Sequence, residues 1–426
     1  MRTVIPTTDY ARYVDAWDGV ARAGLAHLTL DAWAGGRRYL SLAALELTAA
    51  ELGSLRHLTT RFAQLLDLAV DGILEDRDWW SALAWPWPAI ELARQEPSHA
   101  GRRASLYGRF DCLLDERGVW RVIEYNADTP SGGREASGLE PAIARLLPQT
   151  RATSRGLSGR LVRTLKARIA QHAQPVRLVG VVSAHSWIED IAQATWLAGV
   201  LRRAGVAALV GDVTDLATTR GRITLRGQPI DALYRFYPVE RLYRHAIFAS
   251  LCDAAIDGQL LVLNGLRGFL AQSKACLAWL WTNRLALGRS AQQVIERHLP
   301  ATVLARDPAA AKLLHEGVVK HVNGREGDSV VFGTDVDASS WDERLIEGGY
   351  VVQRAVGSPA VEDAEIDDLQ RRIQCVGPKY ACVGAFAIGG RFGGCYTRLD
   401  GPITSAQATY VATVREPARA AAAHPR

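Results

Sequence analysis

Residues 106–127 read LYGRFDCLLDERGVWRVIEYNA, and this stretch indicates a β-hairpin. Two apolar runs, LYGRFDCLL and VWRVIEYNA, flank the polar connection DERG, a pattern typical of two antiparallel strands joined by a turn. With DERG as the connection, we expect Arg109 to pair with Glu124 and Asp111 with Val122. Alternate side chains of a strand share a face. The hairpin therefore predicts one face that carries Arg109, Asp111, Glu124 and Asn126.

This face has the chemistry of a magnesium site. The carboxylates of Asp111 and Glu124 and the amide oxygen of Asn126 are hard oxygen ligands of the kind that Mg²⁺ prefers. Arg109 beside them can clamp a substrate carboxylate with two hydrogen bonds. The alternative is a solvent-facing hairpin with an ion pair between Arg109 and Glu124. EYNADTP, residues 124–130, favours a site, because polar groups crowd there at a junction between strand and loop.

A second candidate element lies in VVKHVNGREGDSVVFG, residues 318–333. Lys320 stands on a predicted strand, and the following loop contains Gly324 and Gly327, whose freed backbone amides can surround phosphate oxygens. A strand, glycine loop and strand is most often a plain hairpin, so this motif is weak by itself. Lys274 lies on the preceding helix and shares that weakness. The chain has five lysines and 45 arginines. In such an arginine-rich chain, a lysine indicates a position that requires a compact ammonium group.

A third element is the C-terminal hairpin, YACVGAFAIGG followed by RFGGCYTRL, residues 380–399. Arg398 on its returning strand can brace a triphosphate, or it is a surface arginine near Asp400. Gln353, on a strand between this hairpin and the glycine loop, suits contact with adenine. Together these elements predict an ATP site.

The order of these elements predicts the fold class. The acids at 111–126 precede Lys320 by nearly two hundred residues, whereas the common ATP-grasp order places lysines and glycine loop first, so we expect a circularly permuted ATP-grasp. Residues 176–213 read as strand, helix of about sixteen residues and second buried strand, and 231–240 as another strand, which indicates a parallel sheet. Residues 42–74 are predicted helical with Thr48 as a cap, and so is the stretch from 139 to 173.

We therefore predict an α/β chain with four parts. They are a helical lobe with the metal-binding hairpin (1–173), a pre-ATP-grasp-like parallel-sheet lobe (174–264), a nucleotide-binding lobe (265–415) and a flexible tail (416–426).

The composition excludes several classes of function. A chain of 426 residues with 48% hydrophobic residues can bury the core of a globular protein. No bilayer-spanning stretch or signal-peptide pattern is present, so we expect a cytoplasmic protein. The six cysteines show no CxxC spacing, which disfavours disulfides and structural zinc. The net charge of +5 is modest and the arginines are interspersed with acids, so we expect small anionic ligands and no nucleic acid.

The motifs resemble the synthetase domain of glutathionylspermidine synthetase and its standalone relatives, known as acid–amine ligases. The likeness covers nearly the whole chain. The most specific elements are YGRFD followed by EYNADTP, supported by LYRFYPVE, by the pair Ser273 and Lys274, by VVKHVNGREGDS, and by VGAFAIGGRFGG with Arg398 after it.

The resemblance implies a role for each matching residue. Asp111, Glu124 and Asn126 would bind magnesium, and Arg109 would support the transferring phosphate or the acid. Lys274 and Lys320 would contact ATP, and Arg398 would contact the phosphates near an acyl phosphate. The remaining matches concern the two substrates, with an acid-bearing molecule expected at Thr129 and Ser131 and an amine near Glu240.

Departures from the family pattern concern the substrates. After the Asp-Thr-Pro the chain reads SGGREASGLE, with Arg134 where relatives carry small or apolar residues, so we expect an acid other than glutathione. Where polyamine-using relatives have an acid near the C-terminus this chain reads TSAQATYV, which argues against a polyamine as the amine donor, and we expect no amidase half. The pair Glu189 and Asp190 is an alternative to Glu240 for handling the amine, although acids at a helix start also complement its dipole.

The chemistry that this implies is an ATP- and magnesium-dependent ligation of a carboxylic acid to an amine, through an acyl phosphate, with release of ADP and phosphate. Two rivals are a nucleotide-binding scaffold without turnover and a phosphotransferase that stops at a phosphorylated product. The identities of the acid and the amine, and the oligomeric state, stay open.

Overall fold

A computed structural model of the protein describes residues 1–24, 33–34, 37–96, 104–148, 150–325 and 327–416. Of the predicted tail, 416–426, all but the first residue lies outside the described part. The first third of the chain contains β1 (Arg2–Val4), α1 (Tyr10–Gly24), β2 (Trp33–Ala34), β3 (Arg37–Arg38), β4 (Leu40–Leu47), α2 (Ala49–Glu75), α3 (Trp87–Gln95), β5 (Tyr107–Leu114) and β6 (Trp120–Asn126).

Helix α2 begins at the predicted cap. Thr48 Oγ1 accepts from the Glu51 amide over 3.2 Å, and Glu51 Oε2 accepts from the Thr48 amide over 2.9 Å. These two bonds form a capping box, which satisfies backbone donors that the helix leaves free. The prediction that the helix extends back to Leu42 is wrong, because residues 42–47 belong to strand β4. All eight β4 residues are buried, so the strand lacks the alternation by which a strand is recognised.

The middle of the chain contains α4 (Gly133–Leu146), β7 (Arg151–Ala152), α5 (Leu157–Ala170), β8 (Val179–Ser183), α6 (Ile188–Arg203), β9 (Ala208–Asp212), β10 (Leu216–Thr219), β11 (Arg222–Leu225), β12 (Gln228–Pro229), β13 (Ala232–Arg235), α7 (Val239–Leu242), α8 (Ile247–Ile256) and β14 (Leu261–Leu263). The single helix predicted from 139 to 173 is two helices, α4 and α5. The break follows Leu146, and Pro148 lies just beyond it, where a helix cannot continue.

The predicted parallel sheet is confirmed. Its strands lie in the order β14-β13-β8-β9, and each adjacent pair is parallel. Helix α6 is 16 residues long, as expected, and connects β8 to β9. Strand β9 is largely half-buried rather than buried, and β13 ends at Arg235 instead of reaching Glu240. Pro238, which has no amide to donate to a strand ladder, precedes the short helix α7.

The last third contains α9 (Leu266–Gln272), α10 (Lys274–Asn283), α11 (Arg289–His298), β15 (Thr302–Leu304), α12 (Pro308–Leu313), β16 (Gly317–His321), β17 (Val331–Phe332), α13 (Ala338–Glu347), β18 (Tyr350–Arg354), β19 (Ala360–Asp367), β20 (Arg372–Ile388), β21 (Arg391–Asp400) and β22 (Thr409–Arg415). Strands β20 and β21 form the predicted C-terminal hairpin.

A nine-stranded sheet joins the two ends of the chain. Its main path is β1-β4-β22-β21-β20-β5-β6, with β19 on β20 and β7 on β22. The predicted metal-binding hairpin, β5 and β6, therefore lies at one end of this path beside the C-terminal hairpin. Strands of the predicted lobes 1–173 and 265–415 thus share one sheet, and the four-part division stays a prediction.

A smaller antiparallel sheet, β15-β18-β16-β17, carries Lys320 and Gln353. It has a separate hydrophobic cluster, which includes Val303, Val319 and Val352. The other elements pack around one large core that includes Trp120, Phe110 and Phe386. The candidate site lies where the small sheet meets the β5–β6 end of the large one. None of the helices in the described ranges combines the length and apolar character needed to cross a membrane.

Candidate active site

The hairpin β5–β6 brings the predicted metal ligands together, but in a different register. Arg109 pairs with Asn126 and Asp111 with Glu124, so the predicted pairs of Arg109 with Glu124 and Asp111 with Val122 are wrong. The connection is longer than DERG, and a bulge after Asp111 shifts the pairing by one residue, so that Cys112 meets Val122. The register beside the acids differs from the predicted one by two residues, which preserves the face of each side chain.

The four side chains of this face are in contact. Asn126 Nδ2 donates to Asp111 Oδ2 and to Glu124 Oε1, both over 3.2 Å. Within the described ranges, no three His, Cys, Asp or Glu side chains are grouped as metal ligands. The predicted magnesium site thus consists of two carboxylates and one amide.

Asp111 is held between two arginines. Arg109 donates to it with Nε over 2.6 Å and Nη2 over 2.9 Å, and Arg398 Nη2 donates to Oδ2 over 2.8 Å. Burial alone would raise the pKa of Asp111, but the charges of Arg109 and Arg398 outweigh burial and hold this pKa well below its ordinary value. The alternative that Arg398 is a surface arginine near Asp400 is wrong, because its side chain is only 14% exposed and is paired with Asp111.

The two predicted ATP-contacting lysines approach the same face from other elements. Lys274, the first residue of α10, places Nζ 3.7 Å from Glu124 Oε2 and 2.8 Å from the Gly324 carbonyl, to which it donates. Lys320 Nζ donates to Gln353 Oε1 over 2.7 Å and to the Ile123 carbonyl over 3.4 Å.

Both lysines are buried, and burial lowers their pKa. For Lys320 the pKa falls to about 8, although the charge of Glu124 opposes the shift. Burial likewise lowers the pKa of Lys274, again against Glu124. A buried ammonium group without a full counter-charge is costly, so this arrangement favours an anionic ligand.

The glycine loop lies between these lysines. Gly324 offers its carbonyl to Lys274, and a side chain at this position would meet Ser329 Oγ at 2.6 Å. Gly327 has φ of +74° and lies against the Thr404 carbonyl, so a side chain is excluded by both conformation and space. Gln353 is buried and donates to Thr302 Oγ1 over 3.0 Å while accepting from Lys320. Its contact with adenine stays a prediction.

Arg325 is a site residue that the sequence reasoning missed. Its guanidinium reaches Glu240 with Nε (2.7 Å) and Nη2 (3.0 Å), Thr129 Oγ1 with Nη1 (3.0 Å), and Asp128 Oδ2 with Nη2 (2.7 Å). Asp128 is fully buried and also pairs with Arg235. Arg325 therefore ties the glycine loop to the EYNADTP and YPVE segments. The sequence signal that could have identified Arg325 was its position between the two loop glycines in NGREG.

The predicted substrate residues divide into two groups. Ser131 is beside Arg109, whose Nη1 donates to the Ser131 carbonyl over 3.0 Å and to its hydroxyl over 3.3 Å. Arg134 instead donates to Glu135 over 2.7 Å, and the other Glu135 oxygen accepts from Gln193 on α6. The alternative amine-handling pair, residues 189 and 190, lies in the first turn of α6.

Comparisons with known proteins bear on the fold and the family of the chain. A protein of Haemophilus influenzae named "Putative acid--amine ligase" is 26% identical over 376 residues, which cover 83% of this chain and 88% of the relative. A glutathione synthetase-like effector from Globodera pallida has the same fold, with a TM-score of 0.63 over 95% of this chain and 96% of its own, at 10% identity.

The family model described as glutathionylspermidine synthase preATP-grasp matches residues 13–415. This match confirms the family resemblance drawn from the motifs, and the predicted α/β fold class is confirmed with it. The chain belongs to the glutathionylspermidine synthase pre-ATP-grasp family.

Proposed function

We propose that this protein is an ATP-dependent carboxylate–amine ligase that forms an amide bond through an acyl phosphate and releases ADP and phosphate. One observation carries the proposal. Two buried lysines from different elements lie at the same place as a pair of cross-strand carboxylates, with Lys274 Nζ 3.7 Å from Glu124. The family match and the similarity to the Haemophilus influenzae protein named "Putative acid--amine ligase" support the same reaction class.

In this proposal Lys274 and Lys320 bind the triphosphate of ATP. Among the described residues, Lys274 donates to the Gly324 carbonyl and lies 3.7 Å from Glu124 Oε2, and Lys320 donates to the uncharged oxygens of Gln353 and Ile123. Phosphate oxygens would supply the missing negative charge and raise the lowered pKa of both lysines. The backbone amides around Gly324 and Gly327 would donate to the phosphate oxygens.

The residues at the hairpin fit a magnesium ion after two side-chain rearrangements. Both Asp111 oxygens accept from arginines, and the Asn126 amide donates to the acids, so ligation needs the amide to turn and Arg398 to move from Asp111. The incoming triphosphate would attract Arg398 away from Asp111. When bound, the ion would neutralise charge on the β- and γ-phosphates.

The acid substrate would lie between Arg109 and the loop that follows β6. Arg109 already contacts the Ser131 hydroxyl at 3.3 Å and can align a carboxylate for attack on the γ-phosphorus. Arg398 would stabilise charge that develops on the transferring phosphoryl group. Thr129 and Ser131 provide hydroxyl donors for the rest of the acid, and Arg134 would act further along it.

The amine would attack the acyl phosphate as a neutral group. Glu240 is placed to hold it, because Arg325 fixes both oxygens of Glu240 in the loop region. The pair Glu189 and Asp190 is the alternative. Closure of the loop that carries Arg325 would exclude water, which would otherwise hydrolyse the acyl phosphate.

A substrate screen tests the reaction. The protein is incubated with ATP and Mg²⁺ against a panel of amino acids, peptides and polyamines, and products are identified by mass spectrometry. A ligase consumes ATP only with acid and amine together and yields a product lighter than the sum of both substrates by one water. A phosphotransferase needs no amine, and a scaffold consumes no ATP, so either pattern would refute the proposal.

Matched variants test the site. Glu124→Gln should abolish Mg²⁺-dependent turnover because it removes one of the two negative charges proposed to hold the ion, and also the charge that faces Lys274. Glu116→Gln removes an exposed acid from the turn of the same hairpin and should retain wild-type rates. Equal rates in both variants would remove the metal assignment.

A further inference from the structure

A second basic region lies outside the candidate active site. It is a concave pocket of about 500 Å³, formed by α2, β7, the start of α5 and the segment before it, β22 and the start of β21. Ligand pockets commonly span about 300–1,000 Å³. Five of its nine lining residues are arginines, and none carries a carboxylate. We name it the arginine pocket; its arginines are Arg56, Arg151, Arg155, Arg160 and Arg415.

Two of these arginines face each other across a strand pair. Arg151 of β7 and Arg415 of β22 are direct antiparallel partners. Like charges directly opposite in a sheet are destabilising. Nothing in the pairing of two such short segments requires two arginines, so their presence favours an anion that bridges them.

Among the residues that the structure describes, no carboxylate lines the arginine pocket. None of the salt bridges in the described part of the chain involves any of the five arginines. By contrast, most arginines that do form salt bridges have a carboxylate oxygen within 3.4 Å. Glu140 lies behind the wall, where it accepts from Thr153 Oγ1 over 3.2 Å. Burial raises the pKa of Glu140 to about 8, so it is largely protonated at neutral pH and leaves the arginines uncompensated.

The pocket is also preorganised. Arg160 donates to the Gly393 carbonyl over 2.6 Å and to the Arg155 carbonyl over 3.3 Å, which fixes its guanidinium against the β20–β21 turn. Its Nε is buried without a hydrogen-bond partner. Arg56 is stacked over Phe392, with Cζ 5.5 Å from the ring centroid. Guanidinium groups fixed in this way lose little freedom on binding.

We propose that the arginine pocket binds a small, multiply charged anion of the oligophosphate class, at a site separate from the ATP site. Arginine suits this ligand because its planar donors pair with phosphate oxygens in twos. The concave shape and the single aromatic side chain favour a compact anion over single-stranded nucleic acid, which needs a longer groove with several stacking rings.

The test uses inorganic tripolyphosphate titrated into the full chain by calorimetry without Mg²⁺. Since the ATP site can also bind this anion, titrations are performed in the Lys274→Ala/Lys320→Ala background. We expect binding to persist there and to weaken at least tenfold when Arg151→Ala/Arg155→Ala is added. Failure of the ligase assay would not affect this result, so the two proposals are judged independently.

A matched control removes the same charge elsewhere. Arg203→Ala/Arg220→Ala deletes two exposed arginines of the parallel-sheet lobe and should leave tripolyphosphate affinity within twofold. Equal weakening by both pairs of substitutions, or no binding in the Lys274→Ala/Lys320→Ala background, would overturn the proposal. The proposal would also be overturned if Arg151→Ala/Arg155→Ala lost the binding of an oligonucleotide while its affinity for tripolyphosphate stayed unchanged.

Thermal unfolding gives a second readout. Removal of an arginine that stabilises the fold lowers the melting temperature. Removal of one arginine of a repelling pair should leave the melting temperature equal or raise it. We therefore expect Arg151→Ala/Arg155→Ala to match or exceed the wild type without anion, and to lose the rise in melting temperature that tripolyphosphate gives the wild type. A lowered melting temperature of the double variant, with an unchanged rise on adding tripolyphosphate, would refute the proposal. If the double variant is unstable, the single variant Arg155→Gln, at an exposed position, is compared with the wild type instead.

Discussion

Arg398 Nη2 donates to Asp111 Oδ2 over 2.8 Å, although 287 positions separate these residues in the chain. The contact joins the C-terminal hairpin to the hairpin β5–β6, which carries the predicted metal ligands, through the adjacent strands β20 and β5. It also neutralises Asp111 while the proposed ligands are absent. A triphosphate would compete for Arg398 and leave Asp111 available to a cation, which couples the two events.

Replacement of Arg398 by lysine should lower turnover about 100-fold, because loss of one aligned donor to a developing phosphoryl charge typically has this effect. The fold should survive, since Asp111 keeps both bonds from Arg109. Steady-state ATP consumption with saturating substrates measures the effect. Arg391→Lys, an exposed position on the same strand, is the control and should have wild-type rates. Matching rates in the two variants would contradict the role of Arg398.

A methyl group at Gly384 should disturb Arg109. Gly384 pairs with Asp111 across β20 and β5, and a Cβ there would lie 2.5 Å from Arg109 Cδ and 2.8 Å from the Tyr396 carbonyl. Gly384→Ala should therefore lower turnover at least tenfold and the free energy of unfolding by about 1–3 kcal/mol. Urea unfolding and the ligase assay measure both. The control is Gly401→Ala, where a Cβ meets nothing within 4 Å, and it should change neither turnover nor the free energy of unfolding. If Gly384→Ala also has no effect, Arg109 can move freely and the prediction is contradicted.

Two variants decide which acid handles the amine. Glu240→Gln should raise the KM for the amine more than tenfold and leave the KM for ATP within about twofold, because it removes the charge that would hold the amine while Asp128 still pairs with Arg325. Glu189→Gln should leave both constants unchanged. If the effects are reversed, the amine lies at the start of α6, and the contact of Glu240 with Arg325 serves the loop alone.

Glu140 should make stability depend on pH. Burial raises its pKa in the folded state to about 8, against an ordinary value of 4.5, so between these values the folded protein binds a proton that the unfolded chain has lost. The contribution of Glu140 to the free energy of unfolding is complete below about pH 4.5 and decreases as the pH rises towards 8. Over this range the equilibrium constant for unfolding increases about tenfold per pH unit. Urea unfolding from pH 5 to 8.5 measures the slope. Glu140→Gln, which stays neutral, should flatten it; an identical slope in both proteins would assign the pH dependence elsewhere.

The sequence by itself determined which side chains of the hairpin share a face. Alternation along a strand depends only on local backbone geometry, so Asp111, Glu124 and Asn126 were grouped correctly even with the wrong partner residues. The same local physics fixed the cap at Thr48 and the length of α6. Family motifs added the expectation of an ATP site, since they identify residues without needing their distances.

Only the tertiary structure decided the register, the strand β4 and the pairing of Arg325. A bulge after Asp111 changes partners through contacts that no single strand encodes, and β4 is recognised as a strand by its neighbours β1 and β22 because it is buried on both faces. Arg325 reaches Asp128 and Glu240 from far along the chain. Such contacts arise from packing between distant segments, and so does the cluster of unpaired arginines, which no local pattern in the sequence reveals.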